Sequence, residues 1–360
     1  MSVQRRKPHE LGSNVLAPRS ERGDLVKAAI VDEPGKVRVG DVPDPKAEPG
    51  YVVVGVGACG ICGTDLHIAD GHFPPTPYPI VPGHEFAGEI IEVGAEVTGW
   101  SPGDRVAVDP SLFCGHCGPC RDGRGNLCEN WGATGDTVNG AFAEYVAVPA
   151  ATCYRLPDHL SWQQGALVEP LSCAVHGVRR IGAEPGERFL VVGAGTMGLL
   201  MQQLLQRAGA TVTVVDRDAS RLGRARDLGA RATATDVSEL DSERFDAAVD
   251  ATGAVPAIEA AFDALRRGGR LLVFGVAPAQ ARIALSPFRI YNDEITVVGS
   301  MAVLHSYGRA LDLVASGAID TASLLTHTLP LAEFPAALDL MRSGAGLKVQ
   351  VLPTEGGSDA

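Results

Sequence analysis

Four cysteines fall within fifteen residues, at Cys114, Cys117, Cys120 and Cys128, as C-G-H-C-G-P-C, seven residues, and a further C. Two thiolates three positions apart can grip one ion from a tight turn. Four close a tetrahedral zinc shell that leaves no open position. Such a shell staples a lobe of the chain and does no chemistry. Disulfides or plain buried thiols are the alternatives. The count, the spacing and the Gly/Pro turns between the ligands favour zinc.

A second chemical signal is the turn Gly193-Ala194-Gly195-Thr196-Met197-Gly198. Alone, G-x-G-x-x-G is weak. Here it follows an apolar strand, Arg188 to Val192, opens a helix, Met197 to Ala208, and precedes a β-branched strand ending in Asp216, about 20 residues on. Gly193 permits the tight turn, Gly195 lets a pyrophosphate approach the backbone, and Gly198 lets helix and strand pack closely. The helix start, with Thr196 and Met197, turns free N–H groups and a partial positive charge toward the phosphates. Asp216 accepts from the adenosine ribose hydroxyls and repels a 2′-phosphate, which favours NAD over NADP. Arg217, with Arg221 further along, belongs to the same expected site. An arginine beside the ribose can pair with phosphate, so Arg217 pulls toward NADP unless it stacks on adenine or lies in solvent.

These residues need a scaffold. From Val26 to about Val148 the chain reads as short strands with Gly/Pro turns, among them VKAAIVDE, YVVVGVGACG, GEIIEVG, DRVAVDP and AFAEYVAVP. That spacing suggests an all-β, barrel-like domain interrupted by the cysteine lobe, residues 100–131. From near Ser161 the rhythm changes. A helical stretch from Trp162 to Arg180 leads into strands alternating with helices, including a helix from Ala254 to Arg267 and the strand RLLVFGVA. This is the pattern of a parallel sheet with crossover helices. After about Gly299 the pattern breaks. Helices near 307–315 and 331–341 and a last strand, 348–352, return to the first domain. The expected division is a loose arm at 1–24, a first domain at 25–170, an inserted dinucleotide domain at 171–299, and a return at 300–360. The final PTEGGSDA reads as frayed.

The chain has 360 residues, 45% of them hydrophobic and 21% charged, enough for two domains with real cores. A formal net charge of −12 opposes binding to nucleic acid or an anionic membrane. No apolar run is long enough to cross a bilayer, and the N-terminal basic residues have no apolar core behind them. The other cysteines, Cys59, Cys62, Cys153 and Cys173, form no paired framework, which points to a reducing cytoplasm.

Two more motifs lie upstream: C-G-T-D-L-H at Cys62 to His67, and G-H-E-F-A-G at Gly83 to Gly88. With the four-cysteine lobe, E-P-L-S at Glu169 to Ser172 and G-A-G-T-M-G, they occur in the order of the zinc-containing medium-chain alcohol and polyol dehydrogenases. The chain resembles that family from Val26 to Leu352. The resemblance implies an α/β architecture: a Rossmann doubly wound parallel-sheet domain inserted into a β-rich, GroES-like catalytic domain. It implies two zinc ions per chain and NAD. Cys62 and His84 match ligands of the catalytic zinc. Glu85 matches the carboxylate beside that histidine, which binds the metal in some members and sits behind it in others. Glu169 stands where liver and yeast alcohol dehydrogenases place a second cysteine, as in the polyol and sugar branch. Thr64 matches the hydroxyl that touches the substrate oxygen, Asp65 the carboxylate that orients the histidine, and His67 the outer end of a proton relay.

The chemistry agrees with this assignment. A thiolate, a neutral imidazole and a carboxylate neutralise Zn²⁺ and leave one position open, where an alcohol loses its proton readily. The reaction implied is hydride transfer to NAD from a hydrophilic secondary alcohol: a polyol, a sugar or a cyclitol. A threonine-type amino alcohol is the nearest alternative substrate, and a non-catalytic NAD- and zinc-binding redox sensor is an alternative of another class. The family suggests a homo-oligomer, dimer or tetramer. Phe73 and Met301 are candidate pocket walls. Lys348 is placed beside the cofactor pyrophosphate or on the surface. Cys59 and Cys173 are read as core, and His72, His116, His159, His176, His305 and His327 as ordinary histidines.

Overall fold

The computed structural model describes residues 23–73, 76–240 and 244–354. The expected N-terminal arm and frayed C-terminus lie almost wholly outside them.

The β-branched runs between 188 and 299 form a six-stranded sheet. Its order is 232–234, 211–215, 188–192, 245–250, 265–273, 296–299. Every neighbour pair is parallel. Counted along the chain, that order is 3-2-1-4-5-6, the doubly wound dinucleotide arrangement. The direction of winding reverses between strands 188–192 and 245–250, so a crevice opens at their carboxyl ends, where the glycine turn sits. Strand 188–192 carries helices on both faces, and from Phe189 to Val192 it is buried throughout. This is why it reads as a continuous apolar run, not an alternating one.

Four of the remaining strands form two-stranded sheets, 25–33 with 36–43 and 111–112 with 132–133, and the other seven build a mostly antiparallel sheet centred on Tyr51–Gly60, which is buried at every position after Tyr51. Strands Glu85–Val93 and Tyr145–Pro149 flank it. The last strand, Lys348–Leu352, pairs with its end, Gln350 opposite Gly60 and Val351 opposite Cys59. That pairing carries residue 348 to the neighbourhood of residues 60–62. Separate apolar cores fill the two sheets. The buried Tyr307 stitches them, its hydroxyl donating to the Val108 carbonyl at 2.8 Å.

Two elements differ from the sequence expectation. The stretch 162–180 is two helices, Trp162–Ala166 and Val168–Ile181. Ser161 and Gln164 form a capping box on the first. The helix expected to reach Arg267 ends at Asp263, and the next strand begins at Leu265. Leu265 already lies opposite Phe245 in the sheet, and Gly268, at φ 73°, breaks any helical continuation.

Candidate metal and cofactor sites

Cys62 ends the approach from strand 51–60 and stands immediately before the short helix Gly63–Ala69. The Asp65 side chain reaches back, and its Oδ2 accepts the Cys62 backbone N–H at 2.8 Å. This fixes the thiol at the helix start. His84 and Glu85 arrive on strand 85–93 and the residue before it. Ligand atoms of Cys62, His84 and Glu85 all lie within 4.8 Å of one another, a set that can hold one metal ion. Thr64 Oγ1 is 3.8 Å from Cys62 Sγ. Gly60 has no side chain because a Cβ there would collide with the Glu85 carboxylate.

The His84 side chain is 8% exposed. Its Nδ1 lies 3.2 Å from Asp136 Oδ1 and 3.7 Å from Asp65 Oδ1. These are ion-pair distances without hydrogen-bond alignment, and all three atoms lack a bonded partner. Burial alone would depress the His84 pKa, but Asp136 and Asp65 overcome it and push His84 well above its usual range. Burial also raises Asp65, to about 6, although His84 pulls it down. One face of the ring is thus committed to carboxylates, which leaves Nε2 for a metal. Asp136 was missed by sequence reasoning. It lies 52 positions after His84, in a T-G-D-T run without a motif of its own.

Glu85 has a partner the sequence did not suggest. Lys348 Nζ is 2.6 Å from Glu85 Oε2 and donates to the Ile61 carbonyl at 3.1 Å. Burial alone would lower the Lys348 pKa, but Glu85 outweighs it and holds the ammonium above its ordinary range. Lys348 is therefore no surface lysine, and its charge is spent on Glu85 inside the candidate metal pocket.

Glu169 opens helix 168–181, 7% exposed. Burial raises its pKa to about 7. It falls outside the three-residue set, and its Oε1 accepts from Cys173 Sγ at 3.3 Å. Cys173 packs against the core as expected, but its thiol faces this carboxylate. His67 is half-buried, one turn after Thr64.

In the cysteine lobe, Cys114 Sγ lies 3.5 Å from Cys128 Sγ, which lies 3.8 Å from Cys117 Sγ. A tetrahedron with arms of about 2.3 Å has edges of about 3.8 Å, so this spacing suits one zinc. It is far too long for a disulfide, and all eight cysteines are free. The backbone N–H groups of His116 and Cys117 pull the Cys114 pKa down to about 6. Those of Cys114 and Asn130 each donate to Cys128 Sγ at 3.3 Å. Among the described residues, this foursome and the set at Cys62 are the groups that can hold a metal.

At the glycine turn, Gly193 has φ 109°, and a Cβ on Gly198 would collide with the Gly193 carbonyl. A Cβ on Gly195 would meet nothing within 4 Å, so that side of the turn is open to a ligand. The Thr196 hydroxyl donates to the Leu347 carbonyl at 2.8 Å, leaving its backbone N–H at the helix start. Met197 is half-buried behind it. Asp216 Oδ2 accepts the Ala194 N–H at 2.7 Å, and Oδ1 the Asp218 N–H at 2.8 Å. Each oxygen keeps a lone pair for a ribose hydroxyl. Arg217 is exposed. Arg221 donates to the Gly344 carbonyl at 3.0 Å and helps line a cavity of about 390 Å³ with Ala194, Ser220, Arg224 and Leu347.

Comparison with known proteins matches this geometry. The alcohol dehydrogenase GroES-like domain matches residues 48–158, and the zinc-binding dehydrogenase domain residues 196–316. D-arabinitol dehydrogenase 1 of Uromyces fabae is 38% identical over 325 residues, covering 86% of this chain and 92% of that protein. D-altritol 5-dehydrogenase of Agrobacterium fabrum is 38% identical over 308 residues, covering 84% and 91%. A crystal structure described as a zinc-binding dehydrogenase from Sinorhizobium meliloti 1021, bound to NADP, superposes with TM-score 0.88 at 36% identity, covering 92% of this chain and all of that one.

Proposed function

The chain belongs to the zinc-binding medium-chain alcohol dehydrogenases, and from that premise we propose that it oxidises a hydrophilic secondary alcohol (a polyol, a sugar or a cyclitol) with NAD as the hydride acceptor. As a member of this family it is an alcohol-oxidising enzyme that uses zinc and a nicotinamide cofactor, built from a GroES-like fold and a Rossmann-type fold. The observation that carries the substrate reading is Glu169. It is a buried carboxylate close enough to feel the charges of His84 and Glu85, where a second thiolate would make a softer, more apolar pocket. The relatives named for arabinitol and altritol support the same class.

Cys62, His84 and Glu85 would hold the catalytic zinc, with Glu169 within reach of the same pocket. The lobe cysteines Cys114, Cys117, Cys120 and Cys128 would hold a structural one. When bound, zinc supplies a Lewis acid for the alcohol oxygen, and the nicotinamide supplies the hydride acceptor. The protein residues do the rest. Asp136 and Asp65 hold the His84 ring in one orientation. Thr64 would accept the alcohol proton at Oγ1 as it passes its own to the cofactor ribose, and His67, one turn on in the same helix, would take the proton from the ribose and release it to solvent. Lys348 neutralises Glu85 from behind. Gly193, Gly195, Thr196, Met197 and Gly198 form the pyrophosphate cradle.

Asp216 supports NAD, because its carboxylate sits where a 2′-phosphate would be repelled; Arg217 and Arg221 are the neighbouring cations. We divide the chain into a catalytic domain, 25–170 with 300–360, and a dinucleotide domain, 171–299. A homo-oligomer, dimer or tetramer, is supported by the parallel sheet's last strand. Thr296–Gly299 is an edge, and Phe288, Tyr291 and Val297 nearby are 68%, 82% and 41% exposed. A reducing, cytoplasmic setting is supported by the eight free cysteines. Among the described residues no helix is long and apolar enough to cross a membrane.

The test is a screen for NADH formation over polyols, sugars, inositols, amino alcohols and simple alcohols, with and without a chelator. Chelator-sensitive turnover of a polyol, sugar or cyclitol is expected. Turnover confined to simple primary alcohols, or to threonine-type amino alcohols, would overturn the substrate reading.

A further inference from the structure

The segment between strand 296–299 and helix Tyr307–Ala315 carries the chain out of the parallel sheet. It holds two non-glycine residues with left-handed backbones, Ala302 at φ 46° and His305 at φ 50°. Such a conformation persists only where surrounding contacts impose it. Here the cysteine lobe makes those contacts. Asn126, two residues before the ligand Cys128 and 6% exposed, donates from Nδ2 to the Met301 carbonyl at 2.9 Å. The His305 Nε2–H donates to the Gly123 carbonyl, three residues after Cys120, at 3.1 Å. Val303 and Tyr307 anchor the segment from the core side. Met301, 37% exposed, stands just beyond the carboxyl end of its strand. Strand 296–299 belongs, with 245–250 and 265–273, to the second mononucleotide half of the sheet, across whose carboxyl ends a dinucleotide extends from the glycine turn.

We propose that Asn126 and His305 are positioning residues through which the zinc-bound cysteine lobe holds residues 301–305 in the shape the nicotinamide cofactor needs. This rests on the lobe being a zinc site. Gly123 and Asn126 lie between Cys120 and Cys128, so the carbonyl and the amide that grip the segment are placed by ligands of one ion. Losing the ion frees both grips and relaxes Ala302 and His305. Linkage is reciprocal: cofactor bound against a formed segment must tighten the lobe's hold on its metal.

The experiment uses the holoenzyme. Transfer of the slowly released zinc to a chromophoric chelator is timed with and without saturating NADH, and the NADH Kd is measured by fluorescence. Asn126→Asp keeps the shape and removes the donor. His305→Asn tolerates the left-handed backbone and is too short to reach Gly123. Ala302→Gly relieves the backbone and keeps both hydrogen bonds. NADH is expected to slow lobe-zinc release about fivefold or more in the unsubstituted protein and in Ala302→Gly. In Asn126→Asp and His305→Asn that protection falls below about twofold while the NADH Kd rises about three- to tenfold. Both variants keep their zinc content and thermal transition, which a merely structural defect would not. Equal release rates with and without NADH in the unsubstituted protein would overturn the proposal, as would undiminished protection in both variants. A protein with no slowly released zinc sinks the lobe assignment itself, and the linkage with it, and is recognised by metal content alone.

Discussion

Lys348 Nζ and Glu85 Oε2 lie 2.6 Å apart, with side chains 4% and 1% exposed. The lysine comes from the last strand and the glutamate from the strand that delivers His84. The cation neutralises a carboxylate that lies close to the Cys62 thiol and to a second glutamate. Removing one partner of such a pair strands a buried charge and costs about 3–5 kcal/mol. Lys348→Met is therefore expected to lower the unfolding free energy of the metal-stripped protein by about that amount. Restoring zinc should shrink the loss, because a second cation then faces Glu85. Urea unfolding with and without zinc measures both; an equal loss in the two states would mean Glu85 does not face the metal.

Asp136 is expected to act on the metal through His84. Asp136→Asn keeps the shape and removes the charge, and should weaken zinc binding at the Cys62 site about 10- to 100-fold while leaving the lobe zinc in place. Competition with a graded series of chelators reads this directly. Unchanged affinity would leave Asp65 as the sole orienting carboxylate.

Glu169 gives a pH signature in the metal-stripped protein. Its carboxyl rises from 4.5 to about 7 because the folded state buries it. The folded state therefore binds the proton more tightly than the unfolded one. That stabilisation is complete below about pH 4.5 and is lost as the pH climbs to about 7. Glu169→Gln should lack this component, so the urea midpoint of the unsubstituted protein should fall relative to the variant between these limits. Parallel profiles would mean the carboxyl titrates normally.

Asp216→Ala should raise the Michaelis constant for NAD and ease the use of NADP, shifting their ratio by about tenfold, or about 1.4 kcal/mol. Steady-state kinetics with both cofactors checks it. The carboxylate also accepts the Ala194 N–H, so a thermal melt should accompany the kinetics. A ratio that does not move would assign cofactor choice to Arg217 or Arg221.

What could be read from the sequence was local. C-G-H-C-G-P-C and G-A-G-T-M-G each draw their meaning from one turn of backbone, and their spacing encodes the shape directly. The strand Tyr51–Gly60 was legible as a continuous small and β-branched run, and the helix Tyr307–Ala315 by its periodic apolar face. The partners of the candidate metal ligands were not. Asp136 meets His84, and Lys348 meets Glu85, through strand pairing and loop return across long stretches of chain, and neither carries a local signature. The early end of the helix at Asp263 was hidden for a related reason: the register of Leu265 opposite Phe245, not propensity, set that boundary.

The arrival of strand 348–352 has a consequence for biosynthesis. Glu85 leaves the ribosome 263 residues before the lysine that balances it. Most of the enzyme is made while that carboxylate has no ammonium opposite it. A transcript truncated before codon 348 yields a chain with its cysteine lobe intact and its glycine turn complete, yet with an open wall and an uncompensated negative charge in the metal pocket.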